Sequence, residues 1–394
     1  MAPGMRPQSG GPARKRRVAF ILNSLAGGGA ERVMCTLLRA SAVERADHDI
    51  FLILLDRDPP AYDVPDWVEV VQLDCRHGLL GSFAGVFGAL RRLRPDITLS
   101  FLTRANVANV AAASLLRLPA IVSERVNTSS HLRHGPGAAV ARKLVRWFYP
   151  LADAVIAVSP GVAEDLQRNF GVPGEKISVI SNPIDGDELR ARAGDAGPAE
   201  DGPAVAAMGR LVPNKNFRVL IDAFARAGLA GKLLILGEGP ERAALQRQAE
   251  ALGLDGRVVM PGFSANPFPA LSRAGVFVLP SNAEGFPNAL LEAMSVGAPV
   301  ISTNCPSGPA EVLAGVPREA VGEELCLAEY GILVAPDNAD AMADALRAMQ
   351  DPARRARYKE QAVRRAADYS VARAKDAYWQ VIRARLATAA RGPG

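Results

Sequence analysis

At 394 residues the chain is too long for one ordinary core, and a prior of about 150 residues per domain gives two or three. With 49% apolar and 22% charged residues and a mean hydropathy of +0.07, the composition is that of a soluble globular protein. The net charge of +5 comes from residues 1–17, where Arg6, Arg14, Lys15, Arg16 and Arg17 stand without an acid, so the remaining body is close to neutral. That argues against a nucleic-acid-binding domain, which carries its positive charge on the fold itself.

Residues 1–17 are rich in Pro, Gly and Arg and read as a disordered basic tail. The basic-then-apolar order of "ARKRRVAFILNSLAGGGA" imitates a signal peptide, yet Val18–Leu22 is too short and Asn23 and Ser24 interrupt it. No stretch reaches the roughly 18 apolar residues of a membrane span. The expected location is the cytoplasm, with at most a peripheral position at the inner face of the plasma membrane. Short apolar runs then alternate with helical patterns, the runs being "RVAFIL", "DIFLILL", "DITLSFL", "PAIVSE", "AVIAVS" and "KISVIS". Continuous Val/Ile/Leu runs between helices predict a parallel sheet covered on both faces. Residues 186–204 are rich in Gly, Ala, Pro and acid and read as a linker. The alternation restarts with "AVAAMGR", "KLLILG", "RVVMPG", "VFVLPS", "PVISTN" and "GILVAP". The order predicts an α/β protein of two doubly wound domains, 18–185 and 205–370, facing across a cleft, with a helix over 371–388 crossing back to the first.

In the first domain, "NSLAGGGAER" places Gly27–Gly29 before a helix, and Asp56 ends the next strand as a ribose-binding acid would. The third glycine of a dinucleotide fingerprint is absent, since the run from Gly27 reads G-G-G-A-E-R. "DRD", Asp56–Asp58, imitates a metal-binding motif but precedes two prolines with no further oxygen ligand, and reads as an acidic surface turn. Cys35, Cys75, Cys305 and Cys326 have neither CxxC spacing nor nearby His partners and read as reduced, mostly buried thiols. Between Glu124 and Asp153 there is no acid, while Arg125, Arg133, Arg142, Lys143 and Arg146 precede Trp147, Phe148 and Tyr149. That suits an anionic membrane surface or a lipid diphosphate; it equally describes a helix with its aromatics in the core and its cations in water.

Ligands of open α/β sheets sit beyond the C-terminal strand ends, and three second-domain stretches fall there. In "GRLVPNKN", Gly209 and Arg210 end a strand and Lys215 opens the next helix, so both cations can reach one diphosphate. Alone, the pair reads equally as two solvated cations. In "GEGPER", Gly237 and Gly239 admit a ligand close to the backbone, or simply make a strand-to-helix turn with Pro240 near the first helical position. In "NAEGFPNALLEAM", Glu284 lies in a loop, the amides around Gly285–Asn288 open a helix, and Glu292 follows on its second turn. Unpaired helix-start amides make an anion site. Glu284 can accept from sugar hydroxyls and Glu292 can chelate a ribose diol, which together describe a nucleotide-sugar. By spacing alone, two ordinary exposed glutamates read as well.

The order GR…K, then GxG, then two glutamates eight positions apart followed by "AMSVGAPVI" resembles glycosyltransferase family 4, across about residues 18–388. The resemblance implies a GT-B fold of two Rossmann-like domains and a retaining glycosyltransferase that needs no metal and no cofactor, the nucleotide-sugar being a substrate. It implies that Arg210 and Lys215 bind the donor diphosphate, Glu292 the ribose and Glu284 the transferred sugar. Amides at Gly285, Phe286 and Asn288 would line the sugar–phosphate site, and Pro261–Phe263, with Gly262, would lie near the base. Gly28 and Gly29 would approach the donor phosphate and the acceptor.

Many members of that family carry a sugar-contacting His where this chain has Ser123, Glu124 and Arg125, which points to a subgroup with a Ser-Glu-Arg signature. Glu124 or Arg125 can contact donor or acceptor, or form an ion pair that holds the loop. His131 and His134 lie too far on to replace that His by spacing. The expected partners are a UDP- or GDP-sugar, a saccharide or lipid-linked acceptor and, peripherally, a membrane. Two other readings stay open: a nucleotide-sugar epimerase or hydrolase of the same fold, which would want more carboxylates or His at the sugar, and a non-catalytic nucleotide-sugar-binding protein.

Overall fold

The structure, a computed structural model, describes residues 14–132, 137–194, 202–322 and 324–390. Tail positions 1–13, Arg133, His134 and linker positions 195–201 lie outside the described residues.

Seven strands form in the first half: β1 (Arg16–Leu22), β2 (His48–Leu54), β3 (Glu69–Gln72), β4 (Ile97–Phe101), β5 (Ala120–Glu124), β6 (Ala154–Ala157) and β7 (Ile177–Val179). Their helices are α1 (Gly29–Ala40), α2 (Leu79–Leu93), α3 (Thr103–Leu116), α4 (Thr128–His131), α5 (Ala138–Phe148), α6 (Pro160–Phe170) and α7 (Gly186–Ala193). The sheet order is β3-β2-β1-β4-β5-β6-β7. β1 pairs in parallel with β2, Phe20 opposite Leu52, and with β4, Phe20 opposite Leu99.

The second half repeats the plan with β8 (Val205–Met208), β9 (Leu233–Leu236), β10 (Val258–Gly262), β11 (Val276–Leu279), β12 (Val300–Thr303), β13 (Cys326–Leu327) and β14 (Ile332–Val334). Its helices are α8 (Phe217–Ala227), α9 (Arg242–Ala251), α10 (Phe268–Arg273), α11 (Asn288–Ser295), α12 (Pro309–Leu313), α13 (Ala339–Ala348), α14 (Pro352–Ala367) and α15 (Val371–Ala390). The order is β10-β9-β8-β11-β12-β14-β13, with β13 antiparallel to β14.

The expected doubly wound sheets are therefore both present. Strands such as β4 and β12 are buried at every position, so they read as unbroken apolar or small-residue runs without alternation. Helices show the other period: in α8, Phe217, Leu220, Ile221 and Phe224 share one face and bury it in the core beside Leu233 and Leu245. Cys35, Cys75 and Cys305 are buried free thiols and Cys326 is half-buried, as expected. No helix among the described residues is long and apolar enough to cross a membrane.

The chain divides into two compact units, 1–121 with 384–394 and 122–383, so the division falls inside β5. Two local readings differ from expectation. β1 starts at Arg16, inside the expected tail, because the Arg17 amide bonds Asp96 Oδ2 at 2.7 Å while Arg14 and Arg16 pair with the same carboxylate. The expected linker begins as α7, whose Asp185 side chain caps the Glu188 amide. α7 docks through Arg190 on Ser295 O and Arg192 on Ala265 O.

Candidate active site

In the second sheet the strand order reverses between β8 and β11. Loops that leave such neighbours diverge and open a crevice at the strand C-termini. The loop after β8 carries Arg210 and Lys215, and the loop after β11 carries Glu284. Asn214 Nδ2 donates to Ala283 O at 2.8 Å, and the Asn282 amide donates to Asn214 O at 2.9 Å. Asn216, held in a left-handed turn at φ 51°, donates to Asn282 Oδ1 and Asp337 Oδ1.

The tied loops bring Lys215 Nζ to Glu284 Oε1 at 2.5 Å, with Ser281 Oγ donating to the same oxygen at 2.6 Å. The side chains are 22% and 10% exposed. The two residues expected to serve diphosphate and sugar separately thus form one half-buried ion pair. Arg210 is exposed, and its guanidinium has no hydrogen-bonded or ion-paired partner among the described residues.

The neighbouring glycines have a tighter reason than ligand approach. Gly237 sits at φ 146°, and a Cβ there would lie 1.9 Å from Gly209 O. One on Gly239 would lie 2.3 Å from Leu211 O, and one on Gly262 would lie 2.6 Å from Glu238 Oε1. The loops after β8, β9 and β10 pack backbone to backbone, as the Leu211 amide on Glu238 O and the Gly237 amide on Gly262 O show. The plain-turn reading of "GEGPER" matches these contacts. Phe263, just past β10, is 81% exposed.

The stretch 285–288 is walled by the segments after β5 and β6. Gly285 O accepts from Ser159 Oγ at 2.9 Å, and a Gly285 Cβ would fall 2.3 Å from Arg125 O. Asn127 Nδ2 reaches Ser307 Oγ, and Glu311 binds the amides of Gly161 and Gly308. The Phe286 ring is buried against Tyr369, 5.5 Å between centroids, leaving only its backbone for a ligand. One expectation is corrected here. The Asn288 amide is not an open donor, because it bonds Phe286 O at 3.0 Å. Pro287 has no N–H, so the amides left open at this helix start among the described residues are those of Gly285, Phe286 and Ala289. Glu292 is 5% exposed on α11, where an exposed helix glutamate was the plainer reading.

Ser123, Glu124 and Arg125 are all buried. Glu124 accepts from Tyr149 OH at 2.5 Å and from the Arg125 amide at 3.0 Å. Burial pushes its pKa up, against the pull of those bonds. Arg125 donates to Tyr378 OH at 2.5 Å, to Ser123 Oγ at 3.3 Å and to Asn182 Oδ1, and Asn182 Nδ2 donates to Asn288 Oδ1 at 2.7 Å. These contacts hold the segment through neutral partners, where the loop-holding reading had expected an ion pair.

Two family descriptions match the chain: "Glycosyltransferase Family 4" over residues 27–188 and "Glycosyl transferases group 1" over 202–351. An N-acetylgalactosamine-N,N'-diacetylbacillosaminyl-diphospho-undecaprenol 4-alpha-N-acetylgalactosaminyltransferase of Campylobacter jejuni is 30% identical over 89% of this chain and 95% of its own. The chain belongs to glycosyltransferase family 4. A lipopolysaccharide 1,6-galactosyltransferase of Escherichia coli is 26% identical over 75% of this glycosyltransferase and 82% of its own length. Among solved structures, Anabaena HepE in complex with UDP superposes with a TM-score of 0.73 at 21% identity, covering 93% of this chain and all of that one. Sucrose-phosphate synthase from Thermosynechococcus elongatus gives 0.75 at 19% identity, over 95% and 100%. The glycosyltransferase has the GT-B fold.

Other predicted residues of the glycosyltransferase lie in its first unit. Gly28 is the extended N-cap of α1, where a Cβ would strike the Glu31 carboxylate, and Gly29 is the first residue of that helix. Asp56 is no open ribose acid. It is buried against Arg104 and accepts from the His77 amide at 3.0 Å, with His77 Nδ1 lying 3.0 Å from its other oxygen. Burial raises its pKa, but the Arg104 and His77 contacts outweigh that and hold it below the ordinary value. Asp56, Asp58 and His77 bring ligand atoms within 4.8 Å of one another, but with a guanidinium already on Asp56 the group is a salt-bridge cluster.

In the second unit, His131 meets the field of Arg210. Its pKa is lowered first by the protein crowded around it, although its own surface is exposed, and then by the Arg210 cation. Sequence spacing had set this residue aside. Asn182, Ser159 and Glu311 were also missed; each is an ordinary polar residue with one partner more than 100 positions away.

Proposed function

We propose that this family 4 glycosyltransferase is a retaining, metal-independent enzyme. It moves a sugar from a UDP- or GDP-sugar to a hydroxyl of a saccharide or lipid-linked acceptor in polysaccharide or glycolipid synthesis. The observation that carries the reading is the Lys215–Glu284 pair at the β8/β11 reversal, with exposed Arg210 on the loop that carries Lys215 and the amides of Gly285 and Phe286 directly after Glu284. As a glycosidic bond to a diphosphate breaks, negative charge grows on the leaving group while the sugar becomes cation-like. Fixed donors placed where that charge develops lower the barrier without reorganising. Arg210 and Lys215 supply the cations, and the start of α11 adds the positive end of its dipole. Glu284, already oriented by Lys215 and Ser281, accepts from a sugar hydroxyl; Glu292 serves the ribose and the Phe263 ring the base. None of these residues is a nucleophile on the sugar. Departure and attack on one face, with the diphosphate taking the acceptor's proton, needs none.

Relatives named as transferases to diphospho-undecaprenol-linked saccharides, and fold neighbours solved with UDP or UDP-glucose, support this choice of substrates. The test is incubation with a panel of UDP- and GDP-sugars and polyprenyl-diphosphate-linked acceptors, with NMR of the new anomeric centre. Transfer with retention, unchanged by EDTA, is expected. Donor hydrolysis or epimerisation without transfer would favour the other enzyme reading, and binding without turnover the non-catalytic one.

Peripheral membrane contact is the companion proposal, favoured by α5. Val140, Lys143 and Trp147 recur at helical spacing and are exposed, Trp147 by 65%, beside exposed Arg142 and Arg146. An apolar ring flanked by cations suits an anionic lipid surface. Co-sedimentation with anionic but not zwitterionic vesicles, lost in Trp147→Ser, tests it.

A further inference from the structure

We infer that Asn182, set by Arg125, fixes which way the Asn288 carboxamide faces, and so makes the Asn288 side chain a hydrogen-bond donor to an oxygen of the nucleotide-sugar. This rests on reading 284–292 as the donor site.

A guanidinium has donors only, so the atom of Asn182 that meets Arg125 must be its carbonyl oxygen. The amide is planar, which leaves the Asn182 NH2 to point the other way, and there it meets Asn288 at 2.7 Å. An NH2 needs an acceptor, so the Asn288 atom it meets is Oδ1. That turns the Asn288 NH2 away from the buried side. Among the described residues nothing accepts from it, and Asn288 is only half-buried.

Arg125 is itself clamped by Tyr378 OH and Ser123, so the chain of three residues has one orientation. Asn288 opens α11, next to the amides of Gly285 and Phe286. Its own backbone N–H is spent on Phe286 O. The side-chain NH2 thus supplies at this helix start the donor that the backbone withholds. The ligand atom it takes is an oxygen acceptor, on the phosphate or on the sugar attached to it.

Changing one atom tests this. Asn182→Asp keeps an acceptor for Arg125 but has no hydrogen to give Asn288. The Asn288 amide then turns its NH2 toward Asp and presents an oxygen to the donor's oxygens. The thermal midpoint of the free protein should hold, because the new carboxylate still meets a guanidinium. Donor affinity, read by calorimetry on the full chain, should fall about tenfold or more, the scale of a lost hydrogen bond to a charged group. Asn288→Ala should weaken binding similarly, and adding Asn182→Asp to it should cost nothing further, since coupled residues are not additive.

A loss seen with both UDP or GDP and their sugars places the bond at the phosphate; one seen only with the sugar-bearing nucleotides places it at the sugar. Both outcomes support the proposal. Affinity of Asn182→Asp within twofold of wild type overturns it, as does an equal loss in the Asn288→Ala background. If the wild type binds no nucleotide-sugar at all, the functional reading falls first and this proposal with it.

Discussion

Lys215 and Glu284, 69 positions apart in the chain, meet at 2.5 Å where the loops after β8 and β11 leave the second sheet. Each alone reads as a solvated charge; together they set the acceptor orientation of the carboxylate and fix the ammonium in the loop that also carries exposed Arg210. Lys215→Ala should lower kcat by on the order of 10²-fold, the loss seen when one preorganised charge stabiliser is removed. Steady-state rates at saturating donor measure this. Unchanged turnover would remove Lys215 from the chemistry and leave it as a tether for Glu284.

Gly237→Ala should be severely destabilising. Its φ of 146° is one that side chains rarely adopt, costing about 1–3 kcal/mol. The 1.9 Å approach to Gly209 O adds a backbone clash that no rotamer relieves. Gly253→Ala is the control: at φ 67° with open space around it, only the left-handed penalty of about 1–2 kcal/mol applies. Urea midpoints of the two variants should rank in that order; equal midpoints would mean the three loops do not pack as described.

Much of the architecture was legible because a strand buried on both faces has nothing polar to show, and because α8 repeats Phe217, Leu220, Ile221 and Phe224 at helical spacing. The site was legible as a set of residue types along the chain. Its pairings were not. Nothing local marks Asn182 as the partner of Arg125 and Asn288, or Arg104 as the partner of Asp56. The glycines of "GEGPER" were visible while their cause was not, since the atoms they accommodate belong to the loop after the neighbouring strand. α7 was hidden because its sequence, "GDELRARA", has only Leu189 and Ala193 to bury.

Glu124 gives a pH signature. Burial raises its folded pKa above the unfolded carboxylate value. The folded state therefore binds more protons than the unfolded one between those two values, and stability falls as pH rises through that window. Glu124→Gln removes the titration. Its stability relative to wild type should improve from pH 4.5 to pH 7, by chemical denaturation at each pH. A wild-type contribution that grows with pH would reverse the sign and contradict the assignment.

The thiols should separate by reactivity. Burial pushes Cys305 up to about 12 and Cys35 up to about 11, and Cys75 is also buried. A thiolate is the reacting species. At pH 8 an aromatic disulfide reagent should label the half-buried Cys326 first and leave the other three until denaturant is added. Rapid labelling of Cys305 in the native protein would show that the segment after β12 opens.

A calorimetric comparison of UDP and GDP binding to the wild type and to Arg210→Ala reaches the central claim most directly. Arg210 is exposed and unpaired among the described residues, so the variant should unfold at the wild-type temperature. The diphosphate site at the β8/β11 reversal predicts that the nucleotide the wild type prefers binds the variant about tenfold or more weakly, the size of a lost charge-assisted contact. Identical affinity in the two proteins, or binding of neither nucleotide by the wild type, would contradict it.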